Sequence, residues 1–263
     1  MQFPVYFHLF GMQIHPHPVM EGLAYAAGLT LHLAIKARLK TLGTAERLER
    51  SLWQIAGAIL GALLGAKILA WIENWHQLTA PASSLAPPGL EKWLGGKTVV
   101  GGLLGGWIGV EIAKHYTGIK QRTGDLWVYP LAFSIAIGRV GCFLTGLSDQ
   151  TYGNFTRLPW AVDFGDGPRH PTQLYEIAAL LLIAAALFIY QRTTHLGFAT
   201  GRLFRLFMLA YCLWRFAVEF IKPTAKPWLG LSAIQWACLL TSAVCVVSLA
   251  RARRLPKPDI LAT

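Results

Sequence analysis

Residues 126–144 read LWVYPLAFSIAIGRVGCFL, an apolar run with a single charge, Arg139. Its length and composition predict a helix that crosses a bilayer. An arginine at such a depth costs roughly 3 kcal/mol unless it is paired or used. Residues 207–220, FMLAYCLWRFAVEF, repeat the pattern with Arg215. Two planar, five-donor guanidinium groups facing one cavity suit a phosphate better than lysines do. The phosphate available within a bilayer belongs to a phospholipid head group. A purely structural alternative has one arginine paired with Glu219 and the other reaching back to the interface.

Working outward, the rest of the chain has the same character. Of 263 residues, 54% are hydrophobic and only 14% charged, with 10 Trp and 26 Gly. A soluble domain of this length carries more charge, whereas interfacial tryptophans and close helix packing fit membrane spans. The expected fold is an all-α, polytopic integral membrane bundle forming a single domain over residues 1–263. Seven transmembrane helices are predicted at Pro18–Ile35, Ile55–Ile72, Val99–Lys114, Leu126–Leu144, Leu174–Tyr190, Leu203–Phe220 and Leu231–Leu249. The opening MQFPVYFHLFGMQIHPHP has no basic n-region and no cleavage pattern, so it does not read as a signal peptide.

Charge orients these spans. Lys36, Arg38, Lys40, Arg47, Arg50, Lys114, Lys120, Arg122, Arg192, Arg202, Arg205, Arg251, Arg253, Arg254 and Lys257 fall in the loops or at the span ends of one side, 15 of the 24 basic residues. The positive-inside rule then puts the N-terminus outside and the C-terminus in the cytoplasm. A net charge of +11 invites a nucleic-acid reading. That reading is rejected, because the cations cluster where spans meet an anionic leaflet and no recognition motif accompanies them.

The outer loops, 76–98 and 145–173, differ in kind. The first is rich in Pro, Ser and Gly and holds LEKWL, which could form a short interfacial helix. The second is dense in polar, aromatic and turn-forming residues and leads into Arg169-His170-Pro171-Thr172-Gln173-Leu174-Tyr175-Glu176. Thr172 could cap the helix that follows, whose free backbone donors would suit an anion. His170 could move a proton near neutral pH. The same run could equally be an elaborate cap.

Tyr211, Arg215 and Glu219 recur every four residues, which puts them on one helix face. Arg139 and Cys142 share a face three residues apart. Cys142 is either a small apolar filler or a thiolate helped by that charge. His15 and His17, in IHPHP, precede the first span, and one of them could be a base. No metal-ligand spacing or disulfide pattern is visible among Cys142, Cys212, Cys238 and Cys245.

Several stretches resemble the prolipoprotein diacylglyceryl transferases. RHPTQLYE at 169–176 looks like that family's RHPSQLYE loop. GRVGCFLTG at 138–146 is similar to its GRxxNFxNxE signature, and YCLWRFAVEF at 211–220 resembles its YxxxRFxxEF stretch. VVGGLLGG at 99–106 resembles HGGLIG, and LGLSAIQW at 229–236 resembles its last span.

The resemblance implies seven spans in a bacterial cytoplasmic (inner) membrane, with a site open toward the outer leaflet. It implies transfer of diacylglycerol from phosphatidylglycerol to the lipobox cysteine of a prolipoprotein, or to another membrane-delivered acceptor, with glycerol 1-phosphate leaving. It implies catalytic roles for Arg139, Arg215, Tyr211 and Glu219. Arg169, Gln173, Tyr175, Glu176, Cys142, Asp149 and Gly153 are then expected to contact substrate. No metal and no organic cofactor belongs to the family, and a monomer is expected. The chain also departs from the pattern. The family histidine before GG falls at Val100, its signature asparagines at Cys142 and Thr145, and its first-span tyrosine at His17. Asp149 stands nearest the missing glutamate. His17, His170 or Asp149 must then accept the proton that Val100 cannot.

Overall fold

A computed structural model describes residues 3–9, 11–39, 45–75 and 96–254. Seven long α-helices occur among them: α1 (Pro16–Arg38), α2 (Ala45–Glu73), α3 (Val99–Thr117), α4 (Val128–Thr145), α5 (Thr172–Thr194), α6 (Arg202–Val218) and α7 (Ala233–Arg254). Two small antiparallel hairpins accompany them, β1 (Phe7–Leu9) with β2 (Met12–Ile14) and β3 (Val162–Asp163) with β4 (Pro168–Arg169). Each predicted span overlaps one of these helices. The loop expected at 76–98, LEKWL included, lies outside the described residues except for its last three positions.

Among the described residues, five segments are long and apolar enough to cross a membrane: Pro16–Arg38, Ser51–Glu73, Gly124–Asp149, Thr172–Thr194 and Ala233–Ala252. The other two predicted spans fall short for identifiable reasons. In α3, Glu111, Lys114 and five glycines dilute the apolar character. The sixth was expected to run to Phe220, but α6 has 17 residues, carries Arg202, Arg205 and Arg215, and tightens into a 3-10 turn at Glu219. A straight crossing takes about 20 residues.

The burial pattern is inverted relative to a soluble protein. Leu60, Leu63, Leu64, Leu182 and Leu240 are all at least 60% exposed, whereas Glu219 and Gln235 are fully buried. Outward leucines and inward polar groups are what a lipid solvent selects.

The described helices divide between two compact units. One comprises residues 37–121 and 224–238. There α2 and α3 pack backbone to backbone. A Cβ on Gly57, Gly61 or Gly65 would lie 2.1–2.5 Å from the carbonyl oxygens of Gly109, Gly105 and Gly101. Only glycine every four residues on both helices permits that approach. In the same unit, α7 opens with a reciprocal capping box. Ser232 Oγ accepts from Gln235 N at 3.2 Å, while Gln235 Oε1 accepts from Ser232 N at 3.0 Å.

The other unit comprises residues 1–36, 122–223 and 239–263 and carries every predicted site residue. Buried Asp125 caps α6 from a distance, accepting from Gly201 N at 2.6 Å and Phe204 N at 2.9 Å. Glycines bring α1 against α4. A Cβ on Gly28 would strike Ser134, and one on Gly141 would lie 2.8 Å from Met20 Cβ.

Candidate active site

Three helices supply the centre of the site. Arg139 comes from the last turns of α4, Glu176 from the first turns of α5, and Tyr211 and Arg215 from one face of α6. Arg139 Nε lies 2.7 Å from Glu176 Oε2, and Arg139 Nη2 donates to Glu176 Oε1 at 3.2 Å. The Tyr211 hydroxyl donates to the same Oε1 at 2.6 Å. Arg215 Nη1 lies 2.7 Å from Glu219 Oε2, the i to i+4 pair expected from spacing. Glu176 also feels the charge of Arg215. Both arginines are therefore paired. The reach toward the interface envisaged for one of them does not occur.

The pairs are close but imperfect. Arg139 Nε and Arg215 Nη1 are near enough to their carboxylates for ion pairing, yet neither is aligned for a hydrogen bond. Gln173, 1% exposed, has no hydrogen-bond partner at either amide atom among the described residues. Buried amides without partners are uncommon and often face a ligand position.

Sequence reading missed one member. That member is Lys222, a basic residue just beyond the sixth predicted span. It is buried, 6% exposed, and interacts electrostatically with Arg215, Glu219, Arg139 and Glu176. Burial, followed by the neighbouring Arg215 charge, lowers its pKa to about 7. The signal was available in the spacing: Tyr211, Arg215, Glu219 and Lys222 are four, four and three apart, as residues of one helix face are, although Lys222 itself lies just past the 3-10 turn in extended backbone.

A second cluster adjoins the first through Cys142, whose Sγ receives Arg139 Nη1 at 3.5 Å. His17 Nδ1 lies 3.1 Å from Asp149 Oδ1, and the Thr151 hydroxyl donates to Asp149 Oδ2 at 2.7 Å. Cys142 also interacts with His17 and Asp149.

The loop 145–173 is ordered by its own hydrogen bonds. Arg169 is forked onto Asp166 at 2.6–3.1 Å and donates to Gly153 O, with Phe155 stacked 3.7 Å from its guanidinium carbon. Those bonds from Arg169 hold the Asp166 carboxyl below the usual carboxylate range. Gly153 is a close-packing glycine, since a Cβ there would lie 2.6 Å from His170 Cβ. His170 Nδ1 meets the Tyr175 hydroxyl at 3.3 Å, and Trp160 donates to that hydroxyl at 2.7 Å.

Thr172 does not cap α5. Pro171 occupies that place without a side-chain bond, and the Thr172 hydroxyl instead donates to Thr151 O. The helix begins one residue earlier than a threonine cap requires, because Pro171 already fixes the entry geometry. Val100 is buried in α3 and carries no titratable group.

Comparisons with known proteins place the chain by its sequence. A family model for prolipoprotein diacylglyceryl transferases matches residues 4–251. The chain is 34% identical over 242 residues to a phosphatidylglycerol–prolipoprotein diacylglyceryl transferase of Polynucleobacter asymbioticus, covering 86% of this chain and 87% of that one. A protein of the same description from Rhizobium leguminosarum bv. trifolii is 31% identical over 240 residues, covering 83% and 78%. One from Frankia alni is 31% identical over 201 residues, and there the match spans 71% of this chain but only 52% of the relative. No solved structure gives a significant match.

Proposed function

The chain belongs to the prolipoprotein diacylglyceryl transferase family, and on that premise we propose that it transfers diacylglycerol from phosphatidylglycerol to the lipobox cysteine of prolipoproteins. Glycerol 1-phosphate is the leaving group. The observation that carries this reading is the pair of buried arginines, each held against a carboxylate yet incompletely bonded to it.

The acceptor thiolate attacks the sp³ glyceryl carbon. A C–S bond forms, the C–O bond to phosphate breaks, and its electron pair leaves on the phosphate oxygen. Arg139 and Arg215 face that developing charge, which fixed donors in a dry site stabilise strongly. Tyr211 and Glu176 orient Arg139, and Glu219 orients Arg215. A phosphodiester arriving beside Lys222 favours its charged form, so the lipid brings its third cation into play. Gln173 binds a polar head-group atom. Arg169, Tyr175 and Gly153 shape the loop around the substrates. His17, His170 and Asp149 are the candidates for accepting the thiol proton.

In this reading residues 1–263 act as one transmembrane domain and as a monomer. Seven helices cross the inner membrane, with the N-terminus outside, the C-terminus in the cytoplasm and the site toward the outer leaflet. The charge bias of the loops supports that orientation.

The test supplies labelled phosphatidylglycerol and a lipobox peptide to the protein in detergent. Label should appear on the peptide cysteine, with glycerol 1-phosphate released. Lipid consumed without peptide labelling points to a different acceptor, which the changes at Val100, Cys142 and His17 make a specific second reading. Absence of lipid binding and turnover across phospholipid classes contradicts both.

A further inference from the structure

Three of the positions at which this chain departs from its family's pattern come together. His17 stands in the first turn of α1, Cys142 in the last turn of α4, and Asp149 at the end of the 3-10 turn that follows. One nitrogen of His17, the sulfur of Cys142 and one oxygen of Asp149 all lie within 4.8 Å of one another. Gly141 makes this meeting feasible, because a side chain there would push against Met20 and come within 3.5 Å of His17 Cα. We propose that His17, Cys142 and Asp149 bind a zinc ion and leave its fourth position open to an incoming thiolate.

The donor set fits that ion. Imidazole, thiolate and carboxylate are the three side-chain types that zinc takes, at about 2.0–2.3 Å. Donors in a tetrahedral site with such bonds sit roughly 3.2–3.7 Å apart. His17 Nδ1 and Asp149 Oδ1, at 3.1 Å, already have nearly that separation. One thiolate and one carboxylate neutralise the two charges of the ion, which suits a partly buried place beside Arg139.

The surroundings resemble an outer coordination shell. A metal-bound histidine commonly directs its other nitrogen at a carboxylate. His17 Nε2 lies 3.9 Å from Glu21 Oε2, and the Tyr25 hydroxyl donates to Glu21 Oε1 at 2.8 Å. Thr151 fixes the Asp149 oxygen not facing His17. Arg139 Nη1 approaches the Cys142 sulfur. The arrangement is a triangle rather than a relay. In a nucleophilic triad the histidine joins acid and thiol through opposite nitrogens. Here the nitrogen away from Asp149 faces Glu21, and Cys142 contacts His17 and Asp149 alike. The His17 side chain is 34% exposed and that of Asp149 12%, so a ligand can reach the cluster. Sites that keep one position for substrate need such access, whereas structural zinc sites are closed.

The chemistry of the open position rests on the transferase reading, although ion binding itself does not. A thiol that ligates zinc does so as thiolate and releases its proton to solvent. That thiolate attacks the glyceryl carbon, the C–S bond forms, and the phosphate ester departs with the C–O electron pair. The thioether formed is neutral and a weaker ligand, so it leaves. The ion thereby supplies the deprotonation that Val100 cannot, and with it bound His17 and Asp149 serve as ligands in place of proton acceptors.

Purified protein is stripped with a chelator and titrated with Co²⁺ as a spectroscopic probe, with melting curves confirming that each variant folds. One equivalent should bind with a thiolate-to-cobalt charge-transfer band. That band should vanish in Cys142→Ser, and affinity should weaken at least 10-fold in Asp149→Asn and His17→Gln. Zn²⁺ should displace the cobalt. Failure to bind an equivalent, or an unchanged band in Cys142→Ser, overturns the inference. In a second arm, stripped protein should lose at least 10-fold of its phosphatidylglycerol-to-peptide transfer and regain it with Zn²⁺. Undiminished transfer by stripped protein overturns the role of the ion in thiol delivery. Transfer without bound metal sinks the inference and leaves the transferase reading standing. One bound equivalent with no transfer from any phospholipid does the reverse.

Discussion

Arg139 illustrates what a single residue reveals and conceals. Its cost in an apolar run is visible in sequence, and so is the i to i+4 partnership of Arg215 with Glu219. Its own partner is not, because Glu176 lies 37 positions away and only helix packing joins them. The same limit hid the meeting of His17, Cys142 and Asp149, whose separations match no linear ligand motif. Arg139→Lys and Arg215→Lys should each lower transfer by about 10²–10³-fold with normal insertion, since a point charge lacks the planar fork. Near-native rates in both lysine variants would reduce the pair to structural charges.

Lys222 makes a pH prediction of definite sign. Its folded pKa, about 7, lies below the ordinary lysine value of about 10.4, so the unfolded chain binds more protons between those limits. The group therefore burdens the lipid-free fold fully below pH 7, and the burden lifts as pH rises toward 10. Melting temperatures of wild type and Lys222→Met should show the variant's relative advantage shrinking over that window. A constant difference from pH 6 to 10 would contradict the assignment.

Helices were the most legible elements, because long apolar runs leave little choice of structure in lipid. Their ends were less so. The 3-10 turn at Glu219 depends on where α6 meets its neighbours, and the start of α5 depends on Pro171 rather than on the threonine that looked like a cap. Glycine content hinted at close packing, but only the structure pairs Gly57, Gly61 and Gly65 with Gly109, Gly105 and Gly101. Gly61→Leu or Gly105→Leu should destabilise the protein by at least about 1–3 kcal/mol, read as a lowered melting temperature in detergent. Gly22→Leu, on an open part of α1, should leave it near wild type. Equal effects at all three positions would refute the packing argument. In the loop, depression of the Asp166 pKa means that the Asp166–Arg169 fork is intact above the ordinary carboxylate pKa of about 3.9. Its stabilisation is lost as pH falls through the depressed value. Asp166→Asn should flatten that acid limb of the stability curve.

At the scale of the whole molecule, exposed leucines, buried charges and the distribution of basic loops express one fact, that the solvent is lipid. Composition made this plain from the start, and the family match over residues 4–251 adds the reaction. The central claim is that the two buried arginines hold the phosphate of the donor lipid. A structure determined in nanodiscs containing phosphatidylglycerol tests it most directly. The account predicts one lipid phosphate within hydrogen-bond distance of both Arg139 and Arg215, with Glu176 and Glu219 still bracing them. A lipid bound elsewhere, with both ion pairs closed and no phosphate between the guanidinium groups, would contradict it.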